Sequence, residues 1–175
     1  MNTNHLTIKS ERLTLIPFTK QICTELLNQS YSSITALDLK RGINWPDEGI
    51  LETLPRIIKN LDKVGFPTGF ESWMIIKTDT KEVIGDVGFK GFNRITNSAD
   101  IGYGIIEAER RKGYAEEACK ALIKWAFISD DLQYITASCL IDNIGSANLL
   151  KKLNFECIAE EEEMFFWERN KNTEE

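Results

Sequence analysis

The sequence predicts an α/β fold of the α+β type, in which helices flank a mixed, mostly antiparallel sheet. Three strand-like segments in the middle of the chain follow one another across short turns, which is typical of an antiparallel meander. A strand, turn, helix and strand follow in the second half, and this crossover predicts one parallel pair. The 175 residues, of which 42% are hydrophobic, suffice for one core and are short for two. We therefore expect a single domain over residues 1–175, with a frayed polar tail at about 170–175.

The first half predicts one strand and two helical regions. The strand covers residues 13–17, and apolar residues at helical spacing predict a helix at about 20–28. A second helical region covers 47–64, but Pro55 has no backbone donor, so we expect a break where Pro55 opens a new turn. The side chains expected to face inward are Leu54, Ile57, Ile58 and Leu61.

A loop through Gly42, Trp45 and Pro46 joins these helical regions. Trp45 fits two roles, lining the mouth of a substrate site or filling a gap in the core. The sequence leaves both open.

Strands are predicted at residues 72–77, 82–90 and 99–106, with turns at 78–81 and 91–97. A helix at about 114–129 and a strand at 134–141 form the crossover. A shorter helix at about 144–153 and a hairpin of residues 156–159 and 164–167 complete the fold.

The formal charge of −6 and the pI near 5.0 limit the partners. An acidic surface repels nucleic acid and anionic lipid and favours cationic partners such as amines. The opening residues lack the apolar core of a signal peptide, and no run of ~18 apolar residues occurs. We expect a cytoplasmic protein with no nucleic acid and no membrane partner.

The cysteines and the single histidine argue against a metal site or a hydrolase triad. The four cysteines are scattered without a CxxC pair, and His5 lies near the terminus. We expect reduced thiols packed as small apolar side chains, and no bound metal.

The most informative segment lies between the predicted strand ending near Ile106 and the long helix. Three cations and a glycine precede the helix, in the order Arg110, Arg111, Lys112, Gly113, Tyr114 and Ala115. A helix start presents unpaired N–H groups and a positive dipole end, and glycine lets a phosphate approach the backbone. The segment indicates a diphosphate site, although a basic turn with a steric glycine has the same features.

These residues resemble the [Q/R]xxGx[G/A] motif of the GNAT superfamily of N-acetyltransferases. Residues 101–105, IGYGI, are similar to the family's strand before the motif, and residues 143–155, NIGSANLLKKLNF, resemble its NxxS…LxKxGF segment. Residues 10–15, SERLTL, and the strands around Trp73 and 83–86 are similar to the subgroup of RimJ- and RimL-type ribosomal-protein acetyltransferases. The resemblance covers most of residues 10–167 with its segments in order.

The resemblance implies a GNAT fold with about six or seven strands, splayed between the strands near Ile105 and Tyr134. It implies acetyl-CoA as cofactor, with the amides of Arg111 to Ala115 on the diphosphate and the backbone of Ile105 and Ile106 beside pantetheine. The residues implied to flank the pantetheine and thioester are Asn143, Ser146 and Asn148. Asn143 also fits a plain helix cap. A homodimer is compatible with the family.

Two positions depart from the family pattern. Asn154 replaces the glycine before Phe155, which asparagine tolerates at a left-handed helix end. Leu150 stands where many members have a tyrosine that protonates the leaving thiolate, so another donor is required or none exists. Ser146 is our candidate for that role.

Direct attack by a primary amine requires a base, because an amine with a pKa of ~10.4 is protonated at neutral pH. Asp100 is the first candidate, because the glycines at 102 and 104 leave room on its strand face. Asp86 and Glu71 compete from neighbouring strands. A backbone N–H near Ile105 would stabilise the oxyanion, as in the family. The loop contains no cysteine that could carry the acetyl group, so direct transfer is favoured over a covalent acyl-enzyme.

Three function classes stay open at this point. The leading one is an amine N-acetyltransferase, with a protein N-terminus, a polyamine or another small amine as acceptor. A non-catalytic acyl-CoA sensor would keep the loop and lack proton transfer. A nucleic-acid-binding module is disfavoured by the charge.

Overall fold

In the computed structural model, which describes residues 6–173, a nine-stranded sheet forms the centre of the molecule. The strands are β1 (Ile8–Lys9), β2 (Leu13–Pro17), β3 (Lys40–Arg41), β4 (Ser72–Lys77), β5 (Glu82–Asn93), β6 (Ser98–Ile105), β7 (Tyr134–Leu140), β8 (Glu156–Glu161) and β9 (Met164–Asn170). The helices are α1 (Lys20–Leu27), α2 (Ser32–Ala36), α3 (Glu48–Val64), α4 (Tyr114–Ala126) and α5 (Ile144–Lys152). A short 3-10 turn, Glu107–Glu109, follows β6.

The order of strands across the sheet is β1-β2-β4-β5-β6-β7-β9-β8, with β3 beside β5. The β6–β7 and β3–β5 pairs are parallel, and the other pairs are antiparallel. This confirms the predicted α+β class, the meander, the crossover and the terminal hairpin. The expected strand number was lower because β1 and β3 have two residues each, too few for a periodic pattern to reveal.

The sheet divides between β6 and β7, as the resemblance implied. The parallel pairing covers only Ser98 to Asp100 of β6, opposite Tyr134 to Thr136 of β7. Beyond that point β6 remains paired with β5, and β7 remains paired with β9 as far as Leu140. The two halves therefore diverge toward the end of β6, where α4 begins.

The predicted helix break at Pro55 is wrong, because helix α3 continues through this residue. Proline removes one backbone hydrogen bond from a helix interior. The inward face of α3 compensates by burying Ile50, Leu54, Ile57 and Leu61. The Asp47 side chain accepts a hydrogen bond from the Ile50 N–H at 3.1 Å and fixes the start of the helix.

The buried apolar side chains of the described residues form one cluster, and Trp45 belongs to it with 2% exposure. Trp45 thus fills the core, although part of it also lines the cavity described below. Cys23, Cys119 and Cys139 are buried free thiols, as expected, whereas Cys157 is exposed at the sheet edge, contrary to expectation.

The expectations for His5 and for the polar tail concern the two ends of the chain. His5 and residues 174–175 lie outside the described residues. Within the predicted frayed tail, Asn170 belongs to β9 and the Lys171 N–H donates to the Gln133 carbonyl at 2.8 Å. The start of this tail is therefore part of the fold.

Candidate active site

A cavity of about 660 Å³ opens where the sheet divides. Its walls come from α3, β5, β6 and α5, and it extends to the first turn of α4. The side chains that bear on chemistry here are Asp47, Arg56, Asp86, Tyr103 and Ser146. Arg110 and Ala115 line the end beside α4. The cavity thus extends from these polar side chains toward the turn that is predicted to bind a diphosphate.

The turn before α4 has the backbone geometry of an anion site. Arg111 and Gly113 have φ of 61° and 82°, and Gly113 is the N-cap residue of α4 without a side-chain cap. The backbone N–H groups of Arg111 to Ala115 donate to no acceptor among residues 6–173. Successive free N–H groups at the positive end of a helix dipole suit a diphosphate. The turn therefore fits the phosphate end of coenzyme A.

The backbone of Ile105 faces the gap in the sheet. The Ile106 N–H donates to the Ile84 carbonyl at 3.0 Å, so this N–H is already used within the sheet. In an antiparallel pair, alternate residues bond to the partner strand, which directs the Ile105 N–H and C=O away from β5. The Ile105 carbonyl accepts a hydrogen bond from Arg110 Nε at 2.9 Å. The Ile105 N–H therefore has no acceptor among the described residues. The Arg110 side chain stabilises the end of β6 through the Ile105 carbonyl.

Helix α5 and strand β6 together present a hydroxyl pair to the cavity. The Asn143 side chain accepts a hydrogen bond from the Ser146 N–H at 3.1 Å and so caps the helix. Ser146 Oγ lies 2.7 Å from Tyr103 Oη. Asn148 is exposed and lies outside the cavity lining. Of the three residues implied to flank pantetheine, Ser146 and Asn143 line the cavity, and Asn143 also serves as the helix cap.

Tyr103 is a functional candidate that the sequence reasoning did not identify. Burial raises the pKa of Tyr103, and the hydrogen bond to Ser146 only partly opposes this shift. The phenol therefore stays neutral and able to donate. Leu150, at the position where the family often has tyrosine, is fully buried in the core. Tyr103 of β6 thus places a phenol beside Ser146 of α5, on the helix where the family often has its tyrosine.

Asp86 is the carboxylate that strand β5 contributes to the cavity. It lies opposite Gly104 in the β5–β6 register, and a Cβ on Gly104 would be 3.2 Å from Asp86 Oδ1. Burial raises the pKa of Asp86 to about 7, the charge of Asp47 adds to the rise and Arg56 opposes it. Asp86 therefore changes charge near neutral pH.

Asp100 and Glu71 have other surroundings. Asp100 forms an ion pair with Lys90 at 2.8 Å and lies outside the lining of this cavity. Its position opposite Thr136 is the last one at which β6 and β7 pair. Glu71, with 3% exposure, accepts hydrogen bonds from the Thr68 and Gly69 N–H groups at 2.7 and 3.2 Å. Glu71 thus holds the loop before β4.

The chain belongs to the acetyltransferase (GNAT) domain family, whose model matches residues 12–156. An uncharacterized N-acetyltransferase of Bacillus subtilis, YjdG, is 33% identical over 148 residues, covering 85% of this chain and 88% of the relative. The ribosomal-protein-serine acetyltransferase of Escherichia coli is 29% identical over 122 residues, covering 67% and 65% of the two chains.

Solved structures share the fold. The ribosomal-protein-S5-alanine acetyltransferase of Vibrio fischeri has a TM-score of 0.67 at 16% identity, with 95% of this chain and 97% of that chain covered. The RimL L7/L12 α-N-protein acetyltransferase in complex with coenzyme A has a TM-score of 0.67 at 20% identity, with 94% and 98% covered.

The protein is thus an acetyl-CoA-dependent N-acetyltransferase, as the sequence predicted. Nothing in the comparisons favours a non-catalytic acyl-CoA sensor. Among residues 6–173, no helix combines the length and apolar character needed to cross a bilayer.

Proposed function

We propose that this enzyme acetylates a primary amine by direct attack, with Asp86 as the general base. The observation that carries the proposal is a carboxylate with a pKa near 7 on the wall of a cavity that Ser146 also lines and that reaches Arg110 and Ala115, on either side of the turn before α4. One core cluster supports a single acetyltransferase domain over the chain.

The residues that would hold acetyl-CoA are those at the divergence of the sheet. The free N–H groups of Arg111 to Ala115 suit the diphosphate, and the Ile105 N–H suits an oxygen that enters the gap. Arg110 supports this strand end through its bond to the Ile105 carbonyl. Acetyl-CoA supplies an acetyl thioester there.

Asp86 is suited to take a proton from the amine. An amine with a pKa of ~10.4 is mostly protonated at neutral pH and reacts only after losing a proton. A base is most effective when its pKa lies near the working pH, and burial brings Asp86 to about 7. Asp47, at the start of α3, adds negative charge on the same side and favours entry of a cation.

The hydroxyl pair of Tyr103 and Ser146 is suited to give a proton to the departing thiolate. A thiolate with a reference pKa of ~8.5 needs only a weak acid. Ser146 Oγ is the candidate donor, and Tyr103 Oη can replace its proton through their 2.7 Å contact. This pair would do the work of the missing tyrosine on α5.

The acceptor class is the least constrained part of the proposal. The relative from Escherichia coli is named as acting on serine of a ribosomal protein, which supports a peptide N-terminus in the cytoplasm. The carboxylates of Asp47 and Asp86 on the cavity wall would also suit a polyamine or another small amine. A homodimer is a further proposal that sedimentation can test.

The test compares Asp86→Asn with Asp100→Asn in thiol release from acetyl-CoA over peptides, polyamines and small amines. We expect Asp86→Asn to lower kcat/KM by about 100-fold or more and to remove an acid limb near pH 7 from the profile. Asp100→Asn should keep the wild-type kcat/KM and the acid limb of the pH profile. The reverse result would restore Asp100 as the base and overturn the assignment to Asp86.

A further inference from the structure

Arg12, at the chain segment that enters β2, contacts the outer side of the turn before α4. Its Nη1 donates to the Lys112 carbonyl at 3.0 Å, and its Nε donates to Glu117 Oε2 at 2.7 Å. The guanidinium lies over the Tyr114 ring, 4.6 Å from the centroid. A Cβ at Gly113 would be 3.3 Å from Arg12 Nη2. One side chain therefore touches the whole turn from Lys112 to the first turn of α4.

Glu117 fixes Arg12 in this position. Its Oε1 accepts hydrogen bonds from Ser10 Oγ and from the Arg12 N–H, both at 2.7 Å. Hydrogen bonds from Ser10 and Arg12 outweigh burial and keep the pKa of Glu117 below its usual value. The Arg12 carbonyl in turn accepts a hydrogen bond from the Thr78 N–H at 2.9 Å. Hydrogen bonds thus fix Arg12 at both its backbone and its guanidinium group.

The contact with the Lys112 carbonyl has a geometric consequence for Gly113. In a trans peptide the C=O and the following N–H point in opposite directions, and the Lys112–Gly113 bond is trans. A Lys112 carbonyl directed at Arg12 therefore directs the Gly113 N–H away from Arg12. Arg12 lies outside the cavity lining, whereas Arg110 and Ala115 belong to it.

We propose that Arg12 is a positioning residue that locks the Lys112–Gly113 peptide with its N–H toward the diphosphate of coenzyme A. This inference rests on the proposed diphosphate role of the turn. Glycine permits this peptide to rotate, because Gly113 can adopt φ on either side of zero. Without Arg12 the Lys112 carbonyl can turn inward, where it would repel the phosphate.

The test measures the Kd of coenzyme A by calorimetry for wild type, Arg12→Ala and Arg12→Lys. We expect both variants to bind coenzyme A about tenfold more weakly, because lysine keeps the charge but lacks the two-pronged geometry. The kcat at saturating acetyl-CoA and the KM for acetyl-pantetheine, which has no diphosphate, should stay within about twofold of wild type. Arg41→Ala is the matched control, since Arg41 also lies over a tyrosine ring, that of Tyr31, at 3.9 Å.

The outcomes distinguish the proposed role of Arg12 from the proposed diphosphate role of the turn. Full affinity in Arg12→Lys would mean that Arg12 contributes charge alone, and full affinity in Arg12→Ala would mean that it contributes nothing; either overturns the proposal. An equal loss with acetyl-pantetheine would also overturn it, because the defect would then be general. If wild type binds coenzyme A no better than pantetheine, the diphosphate role of the turn itself fails.

Discussion

Tyr103 and Ser146 meet between β6 and α5, with 2.7 Å between their hydroxyl oxygens. Their chemistry depends on this contact, because an isolated serine is a poor acid and burial keeps the Tyr103 phenol neutral. Hydrogen-bonded groups that act as a unit show strongly non-additive effects when both are removed.

Removing either hydroxyl should slow the reaction. We expect Tyr103→Phe and Ser146→Ala each to lower kcat by about tenfold, less than the roughly 100-fold or more typical of acid catalysis, because the thiolate leaves readily. The double variant should cost little more than the larger single effect. Tyr134→Phe on β7 is the control and should keep the wild-type kcat. Fully additive effects in steady-state kinetics would contradict a shared role.

At the scale of elements, the turn between β6 and α4 is the part that the sequence predicted best. Three cations and a glycine at a helix start carry a local physical meaning, and Gly113 has the left-handed φ of 82° that such a turn requires. Asn154 likewise adopts a left-handed φ of 60° at the end of α5. Local backbone chemistry of this kind can be read from neighbouring residues.

Other features depend on contacts between distant segments and escaped prediction. The sequence left Asp86 as one of three candidate carboxylates, because only the β5–β6 register, which sets Asp86 opposite Gly104, places it in the cavity lining that Asp100 does not join. Tyr103 gains its role from Ser146, 43 positions away. Pro55 indicates a helix break, yet the packing of α3 outweighs the lost hydrogen bond.

Gly113→Val tests the turn as a unit. A β-branched residue is strained at a φ of 82°, by about 1–2 kcal/mol, and its side chain would press on Arg12. We expect coenzyme A binding to be lost in calorimetry while the protein still folds. Gly65→Val is the control, because Gly65 has a φ of 79° and a Cβ there meets nothing within 4 Å. It should show a similar loss of stability with unchanged binding; normal binding by Gly113→Val would refute the loop assignment.

At the scale of the whole molecule, the division of the sheet opens the cavity and leaves Asp86 partly cut off from water. The same burial that raises the pKa of Asp86 makes its charged form unfavourable in the folded state. The protein therefore carries a cost in folding stability that grows when Asp86 ionises. The proposed base is therefore also a group through which pH affects the stability of the fold.

This link predicts how the free energy of unfolding changes with pH in the absence of cofactor. Between the unfolded pKa of ~3.9 and the folded pKa of about 7, the folded state holds a proton that the unfolded state has lost, so stability falls as pH rises through this window. Carboxylates whose folded pKa is lowered, such as Glu117, add stability as pH rises toward their unfolded pKa of ~4.3, and at pH 5.5 and above they are ionised in both states. Urea unfolding at pH 5.5 and 7.5 should show wild type losing stability and Asp86→Asn losing much less, because asparagine has no proton to release. Equal pH dependence in the two proteins would mean that Asp86 titrates normally and would also remove the basis for its role as the base.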